Sequence, residues 1–168
     1  EYGSRTDLAG LSLVHEPDAS LPLVKGDPER LTQVLKHLLE NAITYNAPAG
    51  QIRLSLQRNR VGYVGLQIAD TGMGIPPADL PYIFDRFYRV GDSATRKGEG
   101  TGIGLALARE LARLMGGDIS VESRIDAGTC FEVVLPVRTE HAIAAVQTPA
   151  MNFDFAPGTN IAPGVTEP

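Results

Sequence analysis

DPERLTQVLKHLLENAITY, residues 27–45, is the stretch whose reading decides the fold. Asp27 offers a side-chain acceptor to the free N–H groups that open a helix, and Pro28 has no N–H of its own to leave unpaired there. Arg30 stands where a capping box would place Glu, so the start rests on Asp27 and Pro28 alone. Leu31, Val34, Leu35, Leu38, Leu39, Ala42 and Tyr45 then recur at the helical period, which predicts a helix over 27–45 with a broad apolar stripe. Such a stripe needs a covering surface, and the neighbouring segments supply a sheet. Upstream, Leu11 and Leu13 suggest a strand. Downstream, Ile52, Leu54 and Leu56 alternate, as do Val64, Leu66 and Ile68, with Asn59 to Gly62 as the turn of an antiparallel pair.

Farther along, a short helix is expected over 78–87. A long one is expected from about 102 to 115, with Ile103, Leu107, Leu111 and Leu114 on one side and Gly116-Gly117 as its stop. Ile119 with Val121, and Phe131 with Val133 and Leu135, are two last strands joined across Asp126-Ala127-Gly128. The order lacks the regular alternation of a doubly wound sheet. It fits an α+β fold, a two-layer sandwich with helices on one face of a mixed, mainly antiparallel sheet.

The bulk properties narrow the function. A chain of 168 residues that is 43% hydrophobic and 21% charged can bury the core of one ordinary domain. Its formal charge of −5 provides no basic field for a nucleic-acid backbone. The single cysteine, Cys130, allows neither an internal disulfide nor a four-cysteine zinc site, and the chain reads as cytoplasmic. No apolar run approaches the ~20 residues that cross a bilayer, so no membrane contact is expected of this segment, whatever anchors a parent protein. Beyond Arg138 the composition shifts to Ala, Pro, Thr and Gly, and residues 139–168 read as a flexible tail in which only Ala142 to Val146, Met151, Phe153 and Phe155 offer anything to dock.

Four segments carry chemistry. In the first helix His37, Asn41 and Thr44 fall on one flank beside the apolar stripe, at the rim of whatever the helix covers. A neutral amide oxygen there can complete the shell of a magnesium ion held mainly by phosphates and water, although Asn41 alone reads equally well as a surface polar residue. Asp70-Thr-Gly-Met-Gly-Ile-Pro76 ends a strand. A carboxylate so placed can accept from an exocyclic amine, with Gly72 and Gly74 admitting a flat base; an ordinary turn has the same spacing. In Ile83-Phe-Asp-Arg-Phe-Tyr-Arg89, Phe84 and Phe87 are candidates to hinge a polar loop on the core, while Arg86, Arg89, Arg96 and Lys97 can meet phosphates or simply be solvated. Gly98-Glu-Gly-Thr-Gly-Ile-Gly104 leads into the second helix, and open N–H groups at a helix start attract anions. No Gly-Lys-Ser/Thr follows, and the glycines do not match the dinucleotide fingerprint, so both of those nucleotide folds are excluded.

In this order the four segments resemble the N, G1, F and G2 boxes of sensor histidine kinases, within the GHKL superfamily that also holds gyrase, the heat-shock chaperones and the mismatch-repair ATPases. Gly128-Thr-Cys-Phe-Glu-Val-Val-Leu-Pro136 is similar to the closing strand of that domain. The resemblance covers residues 5–138 and implies a Bergerat-type site for ATP or ADP with Mg2+. It places Asn41 on magnesium, Asp70 on the adenine amine and Tyr45 against the base, with Gly72, Gly74, Ile75 and Thr129 nearby. Tyr88, Arg89, Lys97, Gly98, Gly100, Thr101, Gly102, Gly104 and Leu105 line the rest of the site under a lid of about 88–101. His37 and Asn41 are the implied catalytic residues. The implied partner is a dimerisation domain bearing the acceptor histidine, and through it, indirectly, a response regulator.

Two positions qualify the pattern. Thr44 stands where the family often has a lysine, which puts one phosphate contact in doubt. His37 stands where hydrolytic relatives carry a water-activating glutamate, which favours transfer over hydrolysis. His15-Glu16-Pro17 has the wrong spacing for an acceptor and His141 lies in the tail, so the chain reads as a fragment or as a domain acting on another protein. The rivals are a hydrolysing GHKL ATPase, disfavoured by His37, an anti-sigma serine kinase, disfavoured by the F box, and a degenerate nucleotide-binding interaction module, supported only by Thr44.

Overall fold

The computed structural model describes residues 10–16, 20–58, 62–91 and 100–138. Helix α1, Pro28–Thr44, begins as its sequence dictates: the Asp27 carboxylate accepts from the N–H groups of Glu29 at 2.9 Å and Arg30 at 3.4 Å. Val34, Leu38, Leu39 and Ala42 are its buried positions. Tyr45, included in the apolar stripe, is 44% exposed at the helix end.

The strands are β1 (Ser12–Glu16), β2 (Gln51–Arg58), β3 (Tyr63–Asp70), β4 (Asp118–Arg124) and β5 (Gly128–Pro136), in the spatial order β1-β2-β3-β5-β4. β1 runs parallel to β2, and the other neighbours are antiparallel, so the sheet is mixed as expected. Alternation sorts the residues. Ile52, Ile68, Ile119, Phe131 and Val133 join Val34 and Leu38 in the core, each with at most 2% exposure and each contributing roughly 1.5–3 kcal/mol by leaving water. The opposite face carries Arg53, Gln57, Gln67, Glu122 and Glu132. There Glu132 is buried but paired, its Oε1 accepting from Gln57 Nε2 at 3.0 Å. Both helices therefore lie on one side of the sheet.

Helix α2, Gly104–Leu114, is shorter than expected and buries a different stripe. Ala108, Leu111, Ala112 and Met115 pack inward, whereas Ile103 and Leu107 are exposed and Leu114 is 63% exposed. Small alanines let α2 sit close to α1 and the sheet, and Leu107 and Leu114 are displaced to the outer side. Arg109 and Arg113 both bind Asp118 at the start of β4, at 2.8 and 3.2 Å. Burial alone would raise the Asp118 pKa, but bonds from Arg109, the Ile119 N–H and Arg113 outweigh it and hold the group at about 2. The Arg109 guanidinium also lies 4.6 Å over the Phe84 ring, which meets Phe131 edge-on.

The helix expected over 78–87 is absent. Successive single turns stand there, closed by the N–H groups of Asp79, Tyr82, Asp85 and Tyr88 on the carbonyls three residues earlier. Pro76, Pro77 and Pro81 are the reason: Pro81 has no N–H for the carbonyl of Pro77, so an α-helical ladder cannot propagate. Phe84 packs on the core, but Phe87 has a φ of 68° and is 73% exposed, so the expected two-aromatic hinge is a single anchor. Asn59 to Val61 of the expected turn, and the tail 139–168, lie outside the described residues.

Candidate functional site

At one end of the sheet Ile52, Asp70, Thr129 and Ser123 stand side by side on β2, β3, β5 and β4. By alternation from Ile68, Phe131 and Val121, all four belong to the face that carries the helices. Asp70 Oδ1 accepts from the N–H of Gly72 at 2.8 Å and of Thr129 at 3.3 Å. Burial nonetheless outweighs these two bonds and raises its pKa to about 6. Both bonds end on Oδ1, which leaves Oδ2 to accept from a ligand. The result is a partly desolvated carboxylate fixed in direction by backbone.

The loop after Asp70 is tied on three sides. Met73 donates to the Tyr45 carbonyl at 3.1 Å, Asp126 donates to the Met73 carbonyl at 2.9 Å, and Ile75 donates to Ser123 Oγ at 2.8 Å. The Thr71 hydroxyl meets Asn46 Oδ1 at 3.1 Å and accepts from the Gln51 N–H at 2.8 Å, joining the end of α1 to the start of β2. The glycines prove to serve this closure. A Cβ at Gly72 would lie 2.2 Å from the Tyr45 carbonyl oxygen, and one at Gly74, whose φ is 70°, would lie 2.0 Å from that of Arg124. Their space is filled by the chain's own backbone, where the sequence had suggested room for a base.

The other end of the site is the start of α2. Unlike α1, this helix has Ile103 at its cap position and no side-chain cap bond, so among the described residues no side chain caps the N–H groups of its first turn. Gly104 lies under the His37 ring, for a Cβ there would meet His37 Nδ1 at 3.3 Å. The His37 flank of α1 thus faces the uncapped end of α2. His37 and Asn41 are half-buried, and His37 Nδ1 is 3.8 Å from Glu40 Oε2. Thr44 is exposed, and its hydroxyl donates back to the Glu40 carbonyl at 2.7 Å.

Other expected site residues are dispersed along the approach to α2. The Phe87 N–H donates to the Gly102 carbonyl at 2.8 Å, joining the residues that flank the expected lid. The Tyr88 hydroxyl donates to Asp79, with its ring 5.6 Å from that of Tyr82, so this hydroxyl is already engaged. Arg89 and Leu105 are half-buried, and Gly100 and Thr101 are exposed. Lys97 and Gly98, with most of the expected lid, lie outside the described residues. Among the described residues no group of three or more His, Cys, Asp or Glu could hold a metal ion. The single amide oxygen of Asn41 fits an ion whose remaining ligands are phosphate and water. Ser123 and the Asn46–Thr71 pair were missed from the sequence. A signal existed for Ser123, a polar residue at the third inward position of the alternation begun by Ile119 and Val121.

Comparison with known proteins bears on the fold and the family. Residues 26–139 match the family model described as histidine kinase-, DNA gyrase B-, and HSP90-like ATPase. The chain is 39% identical over 125 residues to the sensor histidine kinase WalK of Bacillus subtilis (strain 168), covering 74% of this chain and 20% of WalK. It is 35% identical over 167 residues to the histidine protein kinase DivJ of Caulobacter vibrioides, covering 98% of this chain and 27% of DivJ. Among solved structures, full-length ShkA in complex with AMPPNP superposes with a TM-score of 0.69 at 27% identity, over 80% of this chain and 28% of ShkA. The chain therefore spans between a fifth and somewhat over a quarter of the length of these relatives. No helix among the described residues is long and apolar enough to cross a membrane.

Proposed function

We propose, for a chain that belongs to the histidine kinase-, DNA gyrase B- and HSP90-like ATPase family and carries the ATP-binding catalytic domain of a sensor histidine kinase, transfer of the ATP γ-phosphoryl group to a histidine on a separate dimerisation domain. The observation that carries this reading is Asp70, a carboxylate held by two backbone N–H groups at the end of the sheet and partly withdrawn from water. Such a group suits the exocyclic amine of adenine; Thr129 stands opposite it on β5, Ile75 lies in the loop that follows it, and Tyr45 is bonded to that loop.

The chain's residues then divide the work. Asp70 orients the base. The uncapped start of α2, with Gly102, Gly104 and Leu105, receives phosphate oxygens on backbone N–H groups, and Arg89 and Lys97 bear on the same phosphates from the expected lid, whereas the Tyr88 hydroxyl stays with Asp79. Asn41 supplies an amide oxygen to magnesium, which when bound spreads the charge of the phosphoryl group in flight. His37, beside Gly104, stands at the phosphate end and assists the incoming histidine by accepting its proton or orienting it. No glutamate occupies that position to activate water, so transfer is favoured over hydrolysis. The acceptor domain, a response regulator beyond it and a cytoplasmic setting complete the reading. The catalytic unit spans 5–138, with 139–168 as an appended tail.

The test supplies labelled ATP and magnesium to this chain alone and to a mixture with the parent's histidine-bearing domain. The expected result is little self-labelling, slow hydrolysis, and acid-labile phosphate on the added domain that His37→Ala reduces. Rapid hydrolysis by the chain alone would reassign it as an ATPase, and acid-stable phosphoserine on a partner would reassign it as a serine kinase.

A further inference from the structure

Ser123 sits at the β4 end of the row that contains Asp70, and its hydroxyl is the meeting point of three otherwise separate segments. It accepts from the Ile75 N–H at 2.8 Å, donates to the Gly128 carbonyl at 2.9 Å, and lies 2.9 Å from Thr129 Oγ1. A hydroxyl has one proton and two lone pairs. With the proton on Gly128 and one lone pair on Ile75, the remaining lone pair can only receive the Thr129 proton. The direction of that last bond is thereby decided: Thr129 donates to Ser123. Thr129 is buried, and its N–H is committed to Asp70 Oδ1 at 3.3 Å. What its side chain retains beside Asp70 is acceptor capacity alone.

We propose that Ser123 is a positioning residue for base recognition: by taking the Thr129 hydroxyl proton and tethering Ile75, it leaves Thr129 an acceptor beside Asp70, so that this end of the site selects a 6-amino purine over a 6-oxo purine. The inference rests on the nucleotide-binding reading above. Ser123 touches no base itself. An exocyclic amine brings protons to two acceptors, whereas a carbonyl oxygen in its place meets lone pairs with no proton between them, and buried polar groups left unpaired are costly. Removing the Ser123 hydroxyl frees the Thr129 proton to rotate toward the base and answer an oxo group. The same removal loosens Ile75, whose N–H loses its acceptor.

The experiment measures ADP and GDP affinities calorimetrically, with magnesium, for the full chain and for Ser123→Ala, Ser123→Thr, Thr129→Val and the Ser123→Ala/Thr129→Val double variant, with a thermal melt of each. Ser123→Ala should lower the preference for ADP over GDP by about fivefold, the worth of one hydrogen bond. Ser123→Thr should restore it, and the double variant should match Thr129→Val alone in its ADP-over-GDP preference, since Ser123 sets that preference through Thr129, while the loosening of Ile75 should weaken both nucleotides alike. A loss that is equal for ADP and GDP, or an unchanged preference despite a lower melting temperature, would mean that Ser123 only braces the fold and would overturn the proposal. Additive effects on that preference in the double variant would overturn the route through Thr129. If the wild-type chain binds neither nucleotide, the underlying reading fails, and this inference with it.

Discussion

Asp70 shows how one residue's surroundings set its chemistry. Its pKa of about 6 lies above the ordinary carboxylate value because burial outweighs two backbone bonds. An amine donor favours the ionised form, so nucleotide affinity should be full above pH 6 and fall, by about tenfold per unit, as pH drops below it. Calorimetry from pH 5 to pH 8 reads this directly, and an affinity flat across that range would remove Asp70 from the base site. Asp70→Ala should cost about 1–3 kcal/mol of binding at neutral pH. Without nucleotide, the raised pKa works on the fold in the opposite sense. It adds stability that is fully present below the ordinary value of 3.8 and lost as pH rises through about 6. The carboxylate was legible in the sequence because it ends an alternating strand. Ser123 was not read, because its role depends on which strands become neighbours, and β4 meets β5 beside β3 only in the folded sheet.

At the level of elements, sequence periodicity placed both long helices and all five strands, because a stripe at period 3.6 or 2 records which side is buried. It failed where local chemistry competed. Residues 78–87 have apolar spacing compatible with a helix, yet the prolines convert the stretch into separate turns and leave Phe87 exposed. In α2 the hydrophobicity of Leu107 and Leu114 outvoted the alanines that actually pack. The attachment of α2 to the sheet runs through Arg109, which bonds Asp118 and covers Phe84 at once. Arg109→Ala should destabilise the domain by about 1–2 kcal/mol in urea titration, through lost packing as well as lost charge, given that Asp118 is 43% exposed. The ionic share is present above the ordinary carboxylate range and disappears as pH falls toward the Asp118 pKa of about 2, so the gap between wild type and variant should narrow in acid. A gap unchanged between pH 6 and pH 2.5 would assign the whole effect to packing on Phe84.

For the whole molecule, the central pairing joins parts of the chain that are far apart in sequence: β3 meets β5 with Asp70 opposite Thr129. Residues 10–70 form one half, β1-α1-β2-β3, and residues 104–136 form the other, α2-β4-β5. Asp70, Tyr45, His37 and Asn41 come from the first half, and Thr129, Ser123 and Gly104 from the second. The candidate site is therefore a seam. A chain opened between Gly91 and Gly100 keeps every strand pairing described, and the Phe87 bond to Gly102 then crosses between the pieces. Two fragments expressed apart should find each other through β3 and β5, and a ligand that touches both sides should act as the glue between them. Fused to the halves of a split reporter, they should report nucleotide by reassembly, with Asp70→Ala on one fragment shifting the response of the pair to higher nucleotide concentration.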